Sequence, residues 1–140
     1  MASGGRLDMK EFEKLQKNLQ TLSGPEVDKL MKECVNGLTV AFIRGVKQKT
    51  PVDTGALRGE WDFAAKAPIT ETHVGFQRVV TNSLEYASYV EYGHRTRGGK
   101  GWVEGRHMAR DTANHENAKA PEYLDLKVTK FIAKKFGGAK

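Results

Sequence analysis

The residues of this 140-residue chain that could carry chemistry are four histidines, one cysteine and a few spaced carboxylates. His73, His94, His107 and His115 are metal ligands by type, but none forms an HExxH pair, and Cys34 has no second cysteine to join it. His107 and His115 are eight residues apart, so on one helix they share a face two turns apart, too far for one ion to bridge. Ser83 and Ser88 lie near His73 and His94 along the chain, without the GxSxG elbow that exposes a nucleophile. Glu85 and Glu91 are candidate paired carboxylates, yet six residues apart on a short helix they point to different faces. The run RGGKG at Arg97–Gly101 has the composition of a phosphate loop but not the GxxxxGK[ST] spacing. These spacings disfavour a metal centre and assemble no catalytic constellation. The expectation is a protein that is not an enzyme and needs no cofactor.

The cations say more. The net charge is +6, and residues 1–33 and 34–93 are each balanced, with six basic and six acidic side chains apiece. The whole excess therefore follows Gly93. Arg95, Arg97, Lys100, Arg106 and Arg110 stand against Glu104, and five lysines with no acid follow Asp125. A local basic surface of this kind meets nucleic acid or an acidic protein partner. The terminal lysines also fit a solvated helix face and tail. In GHRTRGGKGW, Trp102 is either a stacking platform beside cations that track phosphates, or a core residue whose neighbouring cations line a protein contact.

Elements must position these groups. Phe12, Leu15, Leu19 and Leu22 lie on one face of a helix over residues 9–22, with Glu13 and Lys17 at a favourable spacing. Ser23–Pro25 breaks the chain and starts a second helix. Val27, Leu30, Met31, Cys34, Val35, Leu38, Phe42 and Val46 give that helix a stripe of about six turns, ending near Lys49 because Thr50 precedes Pro51. Gly37 and Gly45 interrupt it and would admit close approach of another element. Asp53 can cap the following turn, Gly55 allows tight geometry, and Leu57 pins the turn to the core, a corner between this spine helix and a sheet. Residues 59–68, with Trp61 and Phe63 in alternation, read as a strand. Residues 71–82 read as a second strand with Val74 and Phe76 in phase, extended by Val79 and Val80 and antiparallel to the first. A short helix follows with Leu84, Tyr86, Ala87 and Val90, capped by Gly93. Residues 94–101 are a mobile basic loop by composition, and Trp102-Val103 a brief strand. His107–Asn117 form a helix, and Pro121 opens a last one on Leu124, Val128, Phe131, Ile132 and Lys135. Residues 137–140 end as a disordered tail. The fold class is α+β, in a single domain over residues 1–140, with a long N-terminal helix packed on a small, mostly antiparallel sheet. The lone cysteine suits a buried thiol in a reducing compartment, the start of the chain lacks the apolar stretch of a signal peptide, and no apolar run reaches membrane-spanning length.

Three segments in order, TPVDTGALRGEW, VTNSLEYASYVEYGH and VEGRHMARDT, resemble the small tail-completion or head–tail joining (neck) proteins of long-tailed bacteriophages, typified by minor tail components of lambda-like phages. The shared pattern falls on Pro51, Asp53, Thr54, Gly55, Leu57 and Arg58, then on Asn82, Tyr86, Ala87, Val90, Glu91 and Gly93, and ends at Arg106, His107 and Met108. Glu60 stands where the family commonly has serine. The resemblance spans about residues 10–115. It implies a structural virion protein of the neck or tail, found in the host cytoplasm during assembly. Such a protein is expected to form a ring, as a homo-hexamer, between the head connector or stopper and the tail terminator or tail-tube proteins. Its channel would pass the genomic DNA. Arg95, Arg97, Lys100 and Trp102 are the expected assembly loop, and removal of 95–100 is expected to leave the monomer folded but unable to join. Glu91 and Arg58 are expected to be structural, with an internal ion pair between them as one possibility. The competing expectation is a basic nucleic-acid-binding module.

Overall fold

A computed structural model describes residue 10 and residues 24–52, 55–73 and 75–136, the side chains of residues 135 and 136 excepted. The expected helix over 9–22, Asp53, Thr54, Val74 and the tail 137–140 lie outside the described residues. The architecture is α+β. Helix α1 (Pro25–Lys49) begins with proline in its first turn, carries Glu26 and Asp28 there, and ends with Lys47 and Lys49, so both ends suit the helix dipole. Thr50 leaves the helix in an extended conformation, as the residue before Pro51 must. The predicted stripe is buried, from Val27 to Val46.

The longest element, α4 (Met108–Phe136), packs along α1. Two glycines make that packing close. A Cβ on Gly37 would lie 1.8 Å from the Tyr123 hydroxyl, and one on Gly45 would lie 2.9 Å from Thr112 Cγ2. The expected break at Pro121 is absent: one helix runs through it. Proline costs the interior bond to the carbonyl four residues earlier. Ala120 and Leu124, buried against α1 on either side of it, hold the helix continuous.

Between α1 and α4 the sequence reading needs correction. Residues 59–68 are not a strand. They fall mostly in helix α2 (Ala56–Ala64), whose inward residues Leu57, Trp61 and Ala64 follow a helical period. Phe63, the other half of the apparent alternation, is 68% exposed. The corner at 50–55 therefore joins two helices, not a helix and a sheet, with Gly55 at φ 82, where glycine alone is unstrained. The antiparallel pair is a tight hairpin, β1 (Thr70–Thr72) with β2 (Gly75–Gln77). Val79 and Val80 do not extend it: residues 78–84 are irregular. Arg78 ties that segment to the body, donating from Nε to the Ala67 carbonyl (2.7 Å) and from Nη1 to Thr39 Oγ1 (3.0 Å). Helix α3 (Ala87–Tyr92) ends on Gly93 at φ 95, as expected, though Leu84 and Tyr86 precede it. A second hairpin, β3 (Gly93–Arg95) with β4 (Trp102–Glu104), leads into α4.

The core has two parts. One gathers the first half of α1 with Ala120 and Leu124. The other gathers Phe42, Ile43 and Val46 with Leu57, Trp61, Ala87 and Met108. Trp61 meets Phe42 edge-on at 6.1 Å. Among the described residues no helix is long and apolar enough to cross a membrane.

Cys34 sits in the first part, 1% exposed. Burial pushes its thiol up to about 11 from 9.0; Lys127 opposes the rise and Glu33 adds to it. The raised value favours the neutral thiol in the fold, so its contribution is complete below pH 9 and is lost as pH rises toward 11. At pH 8 the folded chain is expected to resist alkylation by iodoacetamide, with labelling appearing only as denaturant unfolds it, measured by mass spectrometry.

Candidate assembly surface

The three segments singled out in the sequence meet in one joint. At its centre is Thr50, buried at the end of α1. Its hydroxyl donates to the Val46 carbonyl (2.6 Å), accepts from Trp61 Nε1 (3.0 Å) and lies 3.3 Å from Met108 Sδ. Arg58 Nη2 donates to the Thr50 carbonyl (3.1 Å). Asn82, fully buried, donates from Nδ2 to the Leu57 carbonyl (3.1 Å) and accepts from the Leu84 backbone N–H (3.2 Å). Ser83 donates to the Glu60 carboxylate, so the residue found in place of serine bonds α2 to the segment before α3. Ala87 and Met108 fill the space between, both fully buried.

Glu91 completes the joint without Arg58. The ion pair between them, one possibility from the sequence, is not formed. The Glu91 carboxylate is fully buried and accepts the backbone N–H groups of Ala109 (2.8 Å) and Arg110 (3.0 Å), in the first turn of α4. Those donors have no partner within the helix, and the positive end of the helix dipole favours an anion there. Reciprocally, Arg106 N–H donates to the Val90 carbonyl (2.7 Å) and His107 N–H to the Glu91 carbonyl (3.0 Å). His107 adopts φ 47, unusual for a residue with a side chain, as the chain turns into α4. Gly105 passes so near α3 that a Cβ there would lie 2.3 Å from the Glu91 carbonyl oxygen and 2.5 Å from the Tyr92 carbonyl carbon. Gly93 is equally confined, with the Val103 carbonyl 2.6 Å from the site of a Cβ.

From this base the second hairpin projects. The expected loop 94–101 begins in a strand: His94 pairs with Val103 and Arg95 with Trp102. Its turn is closed by Thr96, whose N–H donates to the Gly101 carbonyl and whose hydroxyl accepts the Gly101 N–H, both at 2.9 Å. Gly98 and Gly99 supply the positive φ angles. Arg95, Arg97, Lys100 and Arg106 are exposed. Trp102 is 55% exposed, so it does not enter the core. Tyr86, Tyr89 and Tyr92 of the α3 segment and Val103 are exposed as well, and Tyr89 meets the His94 ring at 5.8 Å. Exposed aromatic rings and cations thus occur together on α3 and the hairpin, a composition that suits a protein interface. Of the expected site residues, the assembly set lies together on the hairpin. Of the motif residues, Leu57, Arg58, Asn82, Ala87, Glu91 and Met108 form the joint beneath it; Tyr86 and Arg106 are exposed, and Asp53 and Thr54 lie outside the described residues.

Sequence reasoning missed Gly105, the joint role of Thr50, and the exposed Tyr89 and Tyr92. Gly105 has a signal only in hindsight, as a glycine between a strand and a helix; the role of Thr50 depends on partners 11 and 58 residues away.

A family model described as "Bacteriophage HK97-gp10, putative tail-component" matches residues 13–93 of the chain. No curated protein and no solved structure matches it.

Proposed function

The chain belongs to the HK97-gp10-like family of bacteriophage tail components, and we propose that it is a structural virion protein that forms a ring at the neck or the top of the tail. In this reading the ring joins the head connector to the tail tube, and the genome passes through its channel. The subunits gather in the host cytoplasm, as a homo-hexamer, before joining. The observation that carries the proposal is the second hairpin, set on a buried joint and presenting Trp102, Arg95, Arg97 and Lys100 together. Apolar rings supply contact area and arginines supply directional hydrogen bonds, the pattern of interface hot spots. Connector, stopper, terminator and tail-tube proteins are the proposed partners, contacted by the hairpin.

The test is charge reversal. Arg95→Glu, Arg97→Glu and Lys100→Glu in one chain are expected to leave the thermal unfolding midpoint within a few degrees of the parent, because these side chains are exposed. In phage carrying that gene, electron microscopy is expected to show filled heads and separate tails. Normally joined particles overturn the proposal.

The exposure of Trp102 beside three cations also favours a second reading, a basic nucleic-acid-binding module, in which the ring contacts DNA without sequence preference. Free protein that binds duplex DNA at low salt, with affinity falling steeply as salt rises, supports it. Absence of binding at low salt removes it.

A further inference from the structure

Helices α1 and α2 leave a charged groove between them. Val40, Arg44 and Gln48 recur every four residues along α1, and Arg58 and Asp62 do the same along α2, so each row lines one side of the same depression, about 690 Å³ in volume. Helix α2 runs back along α1: Arg58 Nη2 bonds the Thr50 carbonyl at one end (3.1 Å), and Lys47 pairs with Asp62 further along at 2.8 Å. A second depression, lined by Glu116, Lys119 and Tyr123 of α4, adjoins the first and shares Val40 and Arg44 with it. Arg44 therefore stands where the two meet, and it is exposed.

The charges of the groove do not cancel. Arg44, Lys47, Arg58 and Lys119 stand against Asp62 and Glu116. Lys47 and Asp62 neutralise each other. The Arg44 side chain has no ion pair or hydrogen bond among the described residues. Arg58 bonds a neutral carbonyl rather than a carboxylate, and its buried Nε has no acceptor. Two guanidinium groups are thus left without a counter-ion among the described residues.

We propose that this groove binds an acidic segment of a protein partner, whose carboxylates pair with Arg44 and with the half-buried Arg58. A guanidinium presents its donors in a planar fork that matches a carboxylate. Arg44 and Thr50, to which Arg58 is bonded, are six residues apart, about 9 Å of helix, so the segment carries at least two carboxylates spaced on that scale. Val40, 55% exposed, and Ala65 lie among the cations and suit the aliphatic stems of glutamates or an apolar neighbour. Nucleic acid is the poorer match. Asp62 and Glu116 repel phosphates, and Tyr123 is the one aromatic ring among the described lining residues, whereas grooves that bind single strands stack successive bases on several. None of these residues belongs to the hairpin, so a groove without this ligand leaves the hairpin's role standing, and the reverse.

The test is fluorescence anisotropy on the full chain at low ionic strength, with labelled decaglutamate as the probe and labelled oligothymidylate of equal charge as its rival. Decaglutamate is expected to bind the parent, and Arg44→Ala to weaken that binding roughly tenfold, the loss of one charge-assisted contact. Arg97→Ala removes the same charge from the hairpin and is expected to change the affinity less than about twofold, because the probe held in the groove meets that charge only through screening solvent. Asp62→Asn removes the competing carboxylate and frees Lys47, so it is expected to tighten binding. Arg44 is exposed on a helix and alanine is a good helix former, so that variant is expected to keep the parent's circular dichroism. Equal losses from Arg44→Ala and Arg97→Ala overturn the proposal. So do weaker binding by Asp62→Asn, no binding of decaglutamate, or oligothymidylate bound more tightly through Arg44.

Discussion

Glu91→Ala is expected to destabilise the fold by about 3 kcal/mol, the cost of leaving two backbone donors buried without the charged acceptor that satisfied them. The Glu91 carboxylate is the contact through which α3 caps α4, accepting from Ala109 and Arg110 at 2.8 and 3.0 Å. Methyl replacement also leaves a cavity at a fully buried position. Glu91→Gln retains one acceptor oxygen and loses the charge, so it is expected to recover part of the loss. Urea unfolding of the three proteins measures both, with the m-value expected to stay unchanged. A loss under about 1 kcal/mol in the alanine variant contradicts the capping role.

Gly105→Ala is expected to cost a similar amount, about 3 kcal/mol, by a different route. The added methyl would meet backbone, the Glu91 carbonyl oxygen at 2.3 Å and the Tyr92 carbonyl carbon at 2.5 Å. Backbone cannot swing aside as a side-chain tip does, so the strand leaving the hairpin must move off α3. The bonds from Arg106 to Val90 and from His107 to Glu91 then break or lengthen. Amide hydrogen exchange is expected to show loss of protection at Arg106 and His107 while the middle of α1 keeps its own. Full protection at those two amides, with parental stability, contradicts the close approach. Gly37→Ala makes a useful contrast, since the Tyr123 ring it meets is a partly exposed side chain that can turn away.

The elements legible in the sequence are those decided by their own periodicity. The α1 stripe from Val27 to Val46 repeats for about six turns, and the two glycines within it mark where α4 lies close. The Gly93 cap was legible because a helix end at positive φ strongly prefers glycine. Helix α2 was not, since Trp61 and Phe63 satisfy an alternating pattern as well as a helical one. Tertiary contacts decide it: Leu57, Trp61 and Ala64 share one buried face, and the indole nitrogen reaches Thr50. The two sheets have strands of three residues, too short for any alternation to show. Pro121 misled because proline is a local breaker, while the packing of Ala120 and Leu124 is not local. For the site, the cations and Trp102 could be found from composition, but not what holds them. Glu91 caps a helix that begins 17 residues later, and no spacing rule encodes that. The motif residues looked like three separate signatures, and the fold shows them bonded to one another.

The anchoring of the second hairpin has one more consequence. Its base is fastened by main-chain groups of residues 90, 91, 106 and 107, by the narrow passage at Gly93 and Gly105, and by the Thr96 hydroxyl in its turn. None of those fastenings depends on which side chains stand at 95, 97 or 100, whereas the Trp102 ring itself helps to confine Gly93. The exposed cations of the tip are thus separable from its fastening, so substitutions at Arg95, Arg97 or Lys100 alter the surface it presents while its position on the subunit stays the same.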